Sequence, residues 1–337
     1  MPIKVGINGF GRIGRVVFRI LWERRAEFEV VGINNVPFDP VGLANLLRYD
    51  TVYGRFPERV ELADGTLTVG ERRIPFLSEK EPRKLPWGEL GAQIVLESTG
   101  VFRTREQCAQ HLEAGAGRVL LSAPAKGEVD ATVVIGVNDG ILGPEHRVVS
   151  NASCTTNCLA PVAKVLHERF GITEGLMTTV HAVTNDQTLL DLVHPKDPRR
   201  GRAGAFNLVP TSTGAAKAVG LVLPELNGRL NGIAIRAPVP VGSVVDLVAV
   251  LEREASVQEI NAAMREAAQG PLAGVLGYTE DPVVSSDVVR EPVSALFDAG
   301  LTMRIGARLV KVCAWYDNEW GFSHRCADLM RKLAALG

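Results

Sequence analysis

Short runs of apolar residues alternate with helix-like segments along the first half of the chain. The apolar runs lie at residues 3–7, 28–33, 94–97, 118–122 and 131–135. Residues 12–26 and 103–114 have helical periodicity. Strands that alternate with helices indicate βαβ units and a parallel sheet. A hairpin over residues 59–69, with Asp64 and Gly65 at its turn, interrupts this alternation.

The second half has longer strand-like runs and fewer helices. These runs cover residues 176–183, 232–236, 243–252 and 309–316. Along residues 243–252 successive positions fall on opposite faces, and only the face that carries Asp246 is partly polar. That pattern is typical of an antiparallel sheet covered on one side. Ser256 and Glu259 form a capping box, which predicts a helix that continues through residue 268.

The change of pattern near Ser150 predicts a boundary between two domains. Residues 1–150 have the pattern of an α/β nucleotide-binding unit, and residues 151–318 that of an α+β unit with a mostly antiparallel sheet. A chain of 337 residues is also too long for one domain of average size. The final segment, residues 319–336, is helical again.

The bulk composition is that of an ordinary globular protein. Hydrophobic residues make up 46% of the chain and charged residues 22%, with a net charge of −1. This balance gives no indication of binding to nucleic acid or to a membrane surface. We find no run of apolar residues long enough for a transmembrane helix and no pattern of a signal peptide. We therefore expect a cytoplasmic protein.

Cysteine usage supports the same expectation. The five cysteines are at positions 108, 154, 158, 313 and 326. An odd number of scattered cysteines does not resemble a disulfide framework and suits a reducing compartment. Cys154 and Cys158 are not a CxxC pair, and no second cluster at metal-binding spacing accompanies them. No metal site is expected.

Gly9, Gly11 and Gly14 form a G-x-G-x-x-G pattern between the first strand and the first helix. The first glycine permits a tight turn, the second lets the backbone approach a pyrophosphate, and the third allows close packing of helix on strand. The anion would lie at the N-terminus of the helix. A glycine-rich turn without a ligand is the alternative, but the preceding strand and the following helix favour a dinucleotide site.

Asn34 and Asn35 stand where such a site usually has an acidic residue that binds the ribose 2′-hydroxyl. An acidic residue would repel the 2′-phosphate of NADP, and neither asparagine carries a charge. No arginine or lysine follows within residues 36–40 to attract that phosphate. The sequence therefore permits both NAD and NADP, and dual use is our hypothesis.

Cys154 lies among small polar residues in the run 150–158, just before residues 159–167, which have helical periodicity. A thiol at the start of a helix faces unpaired N–H groups and the positive end of the helix dipole. His181 follows at the end of a strand-like run. Together these features predict a lowered thiol pKa. The alternatives are a buried structural cysteine and a core histidine with satisfied hydrogen bonds.

Several motifs in order along the chain resemble those of the phosphorylating glyceraldehyde-3-phosphate dehydrogenase family. They are residues 7–14 (INGFGRIG), 97–102 (ESTGVF), 150–158 (SNASCTTNC), 177–181 (MTTVH), 211–217 (TSTGAAK), 224–228 (PELNG) and 315–321 (WYDNEWG). The resemblance covers essentially the full chain. It implies a Rossmann-type parallel-sheet NAD(P)-binding domain, completed by the C-terminal helix at residues 319–337, and an α+β catalytic domain.

The resemblance also implies an aldehyde oxidation that proceeds through Cys154. The thiolate adds to the aldehyde of glyceraldehyde 3-phosphate, and His181 takes the hydroxyl proton as hydride leaves for the nicotinamide. Inorganic phosphate then cleaves the thioester, and the product is 1,3-bisphosphoglycerate. The same residues serve glycolysis and gluconeogenesis, so the direction of flux stays open.

Further site residues follow from the family motifs. The cofactor-binding set is Asn8, Gly9, Phe10, Gly11, Arg12, Ile13, Asn34, Asn35, Thr99, Gly100, Ser122 and Asn318. Asn318 would hold the nicotinamide carboxamide. The residues for the substrate phosphate are Thr184, Arg236 and one of the pair Arg199 and Arg200. The residues for the attacking phosphate are Ser153, Thr155, Thr213 and Gly214. Hydroxyls, backbone N–H groups and guanidinium groups are the donors that oxyanions require.

Residues 182–206 are long and irregular and resemble the family's S-shaped loop, which packs between subunits. A homotetramer is therefore expected. The loop departs from the family pattern at residues 192–195, where it carries one extra residue before Arg199. Phe322 and Gly242 stand where tyrosine and asparagine are more usual, and neither change is expected to abolish the chemistry.

Two other functions compete with this interpretation. Erythrose-4-phosphate dehydrogenase has the same fold and cysteine chemistry but makes weak use of phosphate. Thr184 and residues 211–217 resemble an intact phosphate site and argue against it. A non-catalytic NAD-binding regulator or a thiol redox sensor would be expected to lack Cys154 or His181, and both are present.

Overall fold

The protein, seen in a computed structural model that describes residues 1–337, divides into two compact units. The first unit contains residues 1–133, 139–152 and 323–337. The second contains residues 134–138 and 153–322. Each unit is built on its own large sheet.

The first unit has eleven strands, most of them in one parallel sheet. In chain order they are β1 (Ile3–Asn8), β2 (Phe28–Asn34), β3 (Tyr49–Asp50), β4 (Gly54–Arg55), β5 (Val60–Ala63), β6 (Thr66–Val69), β7 (Arg72–Leu77), β8 (Ile94–Glu97), β9 (Arg118–Leu121), β10 (Ala131–Thr132) and β11 (Val148–Ser150). β3 and β4 pair with each other, and the other nine form a sheet in the order β10-β11-β9-β8-β1-β2-β7-β6-β5. The strands from β10 to β7 are parallel, so their carboxyl ends share one edge. Ligands bind at that edge in open α/β sheets.

Three helices connect the strands of the first unit. They are α1 (Arg12–Glu23), α2 (Pro40–Arg48) and α3 (Arg105–Glu113). Asp39 caps α2, and Thr104 with Gln107 forms a capping box on α3. By contrast, the cap residue of α1 is Gly11, which has no side chain to accept a bond from the first turn. A helix start without a side-chain cap is the geometry at which proteins bind anions.

The second unit has a seven-stranded sheet that is mostly antiparallel, as predicted. Its strands are β12 (Ile172–Ala182), β13 (Val209–Ser212), β14 (Leu230–Ala237), β15 (Ser243–Leu251), β16 (Leu276–Thr279), β17 (Ala295–Ile305) and β18 (Leu309–Tyr316). Their order is β13-β14-β12-β15-β18-β17-β16. Only β12 with β14 and β16 with β17 run parallel.

Helices cover one face of this second sheet. They are α4 (Cys154–Phe170), α5 (Ala215–Val222) and α6 (Val257–Gln269), while α7 (Trp320–Ala334) continues into the first unit from residue 323. The predicted alternation along β15 is confirmed, because Val245 and Leu247 are buried and Val248 is exposed. On β12, His181 belongs to the covered face. No helix in the structure combines the length and the apolar character needed to span a membrane.

Some element boundaries differ from the sequence prediction. The apolar run at residues 131–135 forms a strand only over Ala131–Thr132, because the backbone then turns and the N–H of Val134 bonds to the Asn138 side chain. α1 ends at Glu23 rather than at residue 26, since residues 24–27 form a turn. Several elements were not predicted: the strands β3, β4, β7, β11, β13, β16 and β17 and the helices α2 and α5. In β17, for example, Asp298 and Gly300 interrupt the apolar alternation.

Candidate active site

The glycine-rich loop has the backbone geometry that a dinucleotide site requires. Gly9 has a φ of +97°, and a Cβ placed on it would lie 2.6 Å from the Thr99 nitrogen. A Cβ on Gly14 would collide with the carbonyl oxygen of Gly9. In contrast, a Cβ on Gly11 would have no atom within 4 Å. The first and third glycines therefore allow the turn and the close packing, and the second leaves open space for a pyrophosphate.

A buried hydrogen-bond network joins the strand ends beside this loop. The fully buried Glu97 carboxylate accepts from Asn8 Nδ2 at 2.6 Å and from the N–H and hydroxyl of Thr99 at 2.8 and 2.5 Å. His111 Nε2 lies 3.1 Å from the same carboxylate, and His111 Nδ1 lies 3.0 Å from Trp87 Nε1. An indole N–H can only donate, so Nδ1 accepts and Nε2 carries the hydrogen that goes to Glu97. Four donors thus satisfy one buried carboxylate.

Asn34 and Asn35, at the end of β2, have different surroundings. Asn34 is buried, and its amide exchanges two hydrogen bonds with the backbone of Glu79 at 2.8 and 2.9 Å. Asn35 is half-buried, and its Oδ1 accepts from the N–H of Phe10 at 2.8 Å. Its Nδ2 donates to the carbonyl of Pro37 at 3.0 Å. Asn35 therefore holds the glycine-rich loop by a hydrogen bond to its backbone. The second hydrogen of its amide nitrogen stays available to a ribose hydroxyl.

Three of the other predicted cofactor residues of the first unit lie just after strand ends, and two lie in the first turn of α1. Thr99 and Gly100 follow β8, and the Ser122 hydroxyl, just after β9, donates to the Glu97 carbonyl at 3.1 Å. Arg12 opens α1 and forms an ion pair with Asp50. The charge of Arg12 therefore already has a partner within the chain. Ile13 lies in the first turn of the same helix.

Cys154 is the first residue of α4, as the small polar residues around it predict. The Ser153 hydroxyl caps the helix and accepts from the N–H of Thr156 at 3.0 Å. Ala152, just before the cap, has a φ of +54°, a conformation that is uncommon for a residue with a side chain. This strained step turns the chain out of β11 and into the helix. The thiol thus lies at the positive end of a helix of 17 residues.

Cys154 and His181 are brought together across 27 residues of sequence. Cys154 Sγ lies 3.4 Å from His181 Nε2, within hydrogen-bond distance for sulfur. On the other side of the ring, His181 Nδ1 lies 2.7 Å from the Ala182 carbonyl oxygen and 2.7 Å from Arg236 Nη1. Donation from Nδ1 to that carbonyl leaves Nε2 as the acceptor for the thiol proton. Arg236 competes for the same nitrogen, because a guanidinium can only donate.

The predicted lowering of the thiol pKa is wrong for the free chain. Burial raises the pKa of the Cys154 thiol, and the charge of Arg236 and the hydrogen bonds from Thr155 only partly offset this effect. Burial, with a further contribution from Arg236, lowers the pKa of His181 to about 3. Near neutral pH the free site therefore holds a neutral thiol and a neutral imidazole. Its chemistry requires transfer of a proton from sulfur to Nε2.

The residues predicted to bind phosphate fall into groups with different contacts. Thr184 is exposed, and its N–H and hydroxyl both donate to Gln187 Oε1 at 2.8 and 3.2 Å. Arg200 is half-buried and donates to Asp186 at 2.8 Å, whereas Arg199 is exposed. Thr213 and Gly214 precede α5; Gly214 is the cap residue and makes no side-chain bond, and the Thr213 hydroxyl accepts from the N–H of Ala215 at 3.2 Å. Two helix starts, those of α4 and α5, thus present N–H groups beside the predicted phosphate residues.

Residues that the sequence analysis missed support the reactive pair. The buried Tyr316 hydroxyl lies 2.9 Å from the Thr155 hydroxyl and 2.8 Å from that of Thr179, and its ring packs edge-on against His181. The Ser243 hydroxyl donates to Asn318 Oδ1 at 2.9 Å and accepts from the N–H of Ala182 at 3.1 Å.. No sequence pattern singles these residues out, because each contacts a segment that is distant along the chain.

The chemistry of this arrangement is that of a nucleophilic thiol with a general base. All five cysteines are free, and Cys154 is the one that is not fully buried. No group of three or more His, Cys, Asp or Glu side chains is arranged to hold a metal ion. The guanidinium of Arg236, hydroxyls and helix N–H groups are donors that can stabilise an oxyanion.

Comparison with known proteins agrees with both units. The family description Glyceraldehyde 3-phosphate dehydrogenase, NAD binding domain, matches residues 3–105, and Glyceraldehyde 3-phosphate dehydrogenase, C-terminal domain, matches residues 153–318. The chain is 56% identical to a glyceraldehyde-3-phosphate dehydrogenase of Geobacillus stearothermophilus over 338 residues, with all of both chains covered. It is 55% identical to that of Streptomyces coelicolor and 54% identical to that of Mycolicibacterium smegmatis, each with 98% of both chains covered.

These matches confirm the resemblance recognised in the motifs. The full-length relatives cover both sheets, and the C-terminal family description covers the segment that carries Cys154 and His181. The chain belongs to the glyceraldehyde-3-phosphate dehydrogenase family.

Proposed function

We propose that this chain oxidises D-glyceraldehyde 3-phosphate to 1,3-bisphosphoglycerate, with inorganic phosphate as the acyl acceptor. The observation that carries this proposal is the 3.4 Å approach of Cys154 Sγ to His181 Nε2 at the start of α4. A thiol whose proton has a neutral imidazole acceptor can add to an aldehyde to give a hemithioacetal, and loss of hydride and a proton from that adduct leaves a thioester. The family membership of both units supports the same substrate.

The proposed steps assign a proton to a defined atom at each stage. His181 Nε2 takes the thiol proton as sulfur bonds to the aldehyde carbon and returns it to the aldehyde oxygen, which gives a hemithioacetal. His181 then takes that hydroxyl proton as hydride leaves, and a thioester remains on Cys154. Attack by a phosphate oxygen breaks the carbon–sulfur bond and releases the acyl phosphate. The sulfur leaves as a thiolate and takes the proton from His181 Nε2, while the proton of the attacking phosphate passes to solvent. The bound nicotinamide dinucleotide supplies the hydride acceptor.

Two groups of donors serve the two anions in this proposal. Arg236, Arg200 and Thr184 bind the phosphate of the substrate. Arg200 is preferred over Arg199 because Asp186 and Ser212 of β13 hold its side chain in place. The attacking phosphate is bound by Ser153, Thr155, Thr213 and Gly214, the group at the starts of α4 and α5. The oxyanion formed during attack lies close to the positive end of α4.

For the cofactor, we propose that the chain uses both NAD and NADP. The first domain belongs to a family of NAD-binding domains, and its glycine-rich loop fits a pyrophosphate. Asn35 supports the dual use, since its amide has no charge to repel a 2′-phosphate and can still donate one hydrogen to a ribose hydroxyl. In the first unit, Asn8, Thr99, Gly100 and Ser122 join the glycine-rich loop in the proposed dinucleotide site. Asn318, in the second unit, is the residue proposed to hold the nicotinamide carboxamide.

We also propose that four copies of this chain assemble into a tetramer. On the uncovered face of the second sheet, the apolar residues Leu176, Ile233, Val248 and Ile305 are exposed, with Leu176 at 69%. A second patch in residues 182–206 exposes Leu189, Leu190, Leu192, Val193 and Phe206. Apolar patches of this kind mark protein interfaces. Two separate patches on each copy allow a closed assembly that is larger than a dimer.

The five free thiols support the cytoplasm as the compartment in which the chain works. Burial raises the pKa of Cys108 and of Cys326 to about 12, so both stay protonated. Cys154 alone is partly accessible, and its chemistry needs a reduced sulfur. A reducing compartment keeps it in that state.

Replacement of His181 by asparagine tests the reactive pair. Without the base, kcat should fall by about 10²- to 10⁴-fold. The raised thiol pKa means that alkylation of Cys154 by iodoacetamide in the cofactor-free enzyme accelerates as pH rises. His181→Asn should move this acceleration to higher pH, because the proton acceptor is gone. His146→Asn in the first unit is the matched control, and an unchanged pH profile in His181→Asn would refute the pairing.

The two neighbouring arginines give a direct comparison for the substrate phosphate. Arg200→Ala should raise the KM for glyceraldehyde 3-phosphate by about 10- to 100-fold, the effect of losing a hydrogen bond to a charged group. Arg199→Ala should change it less than Arg200→Ala, since that side chain is exposed. Steady-state kinetics at saturating phosphate measures both. The opposite ranking would assign the substrate phosphate to Arg199.

Asn35→Asp tests the cofactor assignment. The carboxylate can still accept from the N–H of Phe10, so the loop should keep its shape, but it should repel the 2′-phosphate. The ratio of kcat/KM for NAD to that for NADP should rise at least about tenfold, which corresponds to 1.4 kcal/mol. The unchanged chain should use both cofactors. A preference for NAD above about a thousandfold, roughly 4 kcal/mol, would rule out dual use.

A charge on the uncovered sheet face tests the assembly. Sedimentation velocity of the unchanged chain should show a tetramer. Val248→Asp should shift it to smaller species, because an unpaired carboxylate would be buried in the interface. Ile141→Asp, which charges an exposed apolar position of the first unit, is the control for a general loss of solubility. Retention of the tetramer by Val248→Asp would exclude this sheet face as an interface.

A further inference from the structure

One serine hydroxyl links the segment of the catalytic base to Asn318. Ser243, the first residue of β15, is only 1% exposed. Its Oγ lies 3.1 Å from the backbone nitrogen of Ala182 and 2.9 Å from Asn318 Oδ1. Ala182 is also the residue whose carbonyl oxygen lies 2.7 Å from His181 Nδ1. All four residues belong to the second unit.

The direction of each hydrogen bond follows from the chemistry of the groups. A backbone N–H can only donate, so Ser243 Oγ accepts from Ala182. The hydroxyl hydrogen of Ser243 then needs an acceptor, and Asn318 Oδ1 is the one within reach. If the Asn318 amide were reversed, its NH₂ group would face Ser243 and leave a buried hydroxyl hydrogen without an acceptor, which is unfavourable. Ser243 therefore sets the orientation of the Asn318 amide.

The opposite end of that amide is left for a ligand. Asn318 is 5% exposed, and its Nδ2 makes no hydrogen bond within the chain. Both hydrogens of this group are thus available to a ligand that reaches this largely buried side chain. A carbonyl oxygen is the partner that such a donor requires. The carboxamide of a nicotinamide presents one.

We propose that Ser243 is a positioning residue, which fixes the Asn318 amide so that Nδ2 donates to the nicotinamide carboxamide oxygen. This inference rests on the proposed function, in which Asn318 holds the carboxamide. Ser243 acts on the cofactor only through Asn318 and makes no contact with the reacting atoms. Its effect should therefore depend on the nicotinamide and disappear when Asn318 is absent.

A double-mutant cycle on cofactor binding tests the inference. The Kd values of NAD⁺ and of ADP-ribose, which lacks the nicotinamide, are measured by calorimetry for the full chain and for Ser243→Ala, Asn318→Ala and the double variant. Ser243→Ala should weaken NAD⁺ binding by about tenfold, as expected for one buried hydrogen bond. ADP-ribose binding should change less than twofold. In the Asn318→Ala background, Ser243→Ala should have no further effect.

Two more variants and one further measurement separate this role from general damage. Ser294→Ala removes another buried serine hydroxyl of the same unit, one that has no hydrogen-bond partner, and should leave both Kd values unchanged. Ser243→Thr keeps a hydroxyl and should retain most of the NAD⁺ affinity even if Ser243→Ala does not fold. Alkylation of Cys154 in the cofactor-free protein should keep its pH profile in Ser243→Ala.

The following outcomes would overturn the proposal. Equal weakening of NAD⁺ and ADP-ribose, or additive effects of the two substitutions, would mean that Ser243 does not act through Asn318. If Ser243→Ala shifted the pH profile of Cys154 alkylation and changed the Kd values of NAD⁺ and ADP-ribose equally, Ser243 would position His181 instead of Asn318. If the unchanged chain bound NAD⁺ and ADP-ribose equally, the assignment of Asn318 would fail as well. The proposed oxidation of glyceraldehyde 3-phosphate by this chain is tested separately, by measuring turnover of the unchanged chain.

Discussion

The chemistry of the second unit depends on one contact, that between a thiol at the start of a helix and an imidazole at the end of a strand. Cys154 must begin α4, and His181 must lie on the covered face of β12, for their 3.4 Å approach to exist. The cap at Ser153 and the strained backbone of Ala152 set the first condition. The alternation along β12 sets the second. Small errors in either element would separate sulfur and base.

Burial determines the protonation states of the two groups in this contact. Removing water from the site favours neutral forms of the thiol and the imidazole, as the raised pKa of Cys154 and the lowered pKa of His181 indicate. Arg236 adds a positive charge that favours a thiolate and disfavours an imidazolium. If an anion drew Arg236 away from the imidazole, His181 Nδ1 would keep only its hydrogen bond to the Ala182 carbonyl. Binding of the substrate phosphate to Arg236 would therefore change the basicity of His181.

Short sequence patterns predicted those features of the structure that depend on residues close together along the chain. The roles of Gly9, Gly11 and Gly14 followed from spacing, and a helix start at Cys154 followed from its polar neighbours. The thiol pKa was predicted wrongly, because the helix dipole is a local feature whereas burial depends on the whole unit. Contacts between distant segments were missed for the same reason. Tyr316 is 161 residues from its partner Thr155, and no periodicity in the sequence connects them.

The network around Glu97 has a thermodynamic consequence for ligand binding by the first unit. Its hydrogen bonds join β1, β8, α3 and the segment of Trp87, and they are complete without any ligand. The conformational entropy of the loops beside Gly9 and Thr99 is therefore lost when the chain folds. A ligand that arrives later meets an edge that is already ordered and gives up little further chain entropy there. The affinity for a ligand at this edge thus depends in part on the stability of the hydrogen-bond network of Glu97, a carboxylate that is fully buried and out of reach of the ligand.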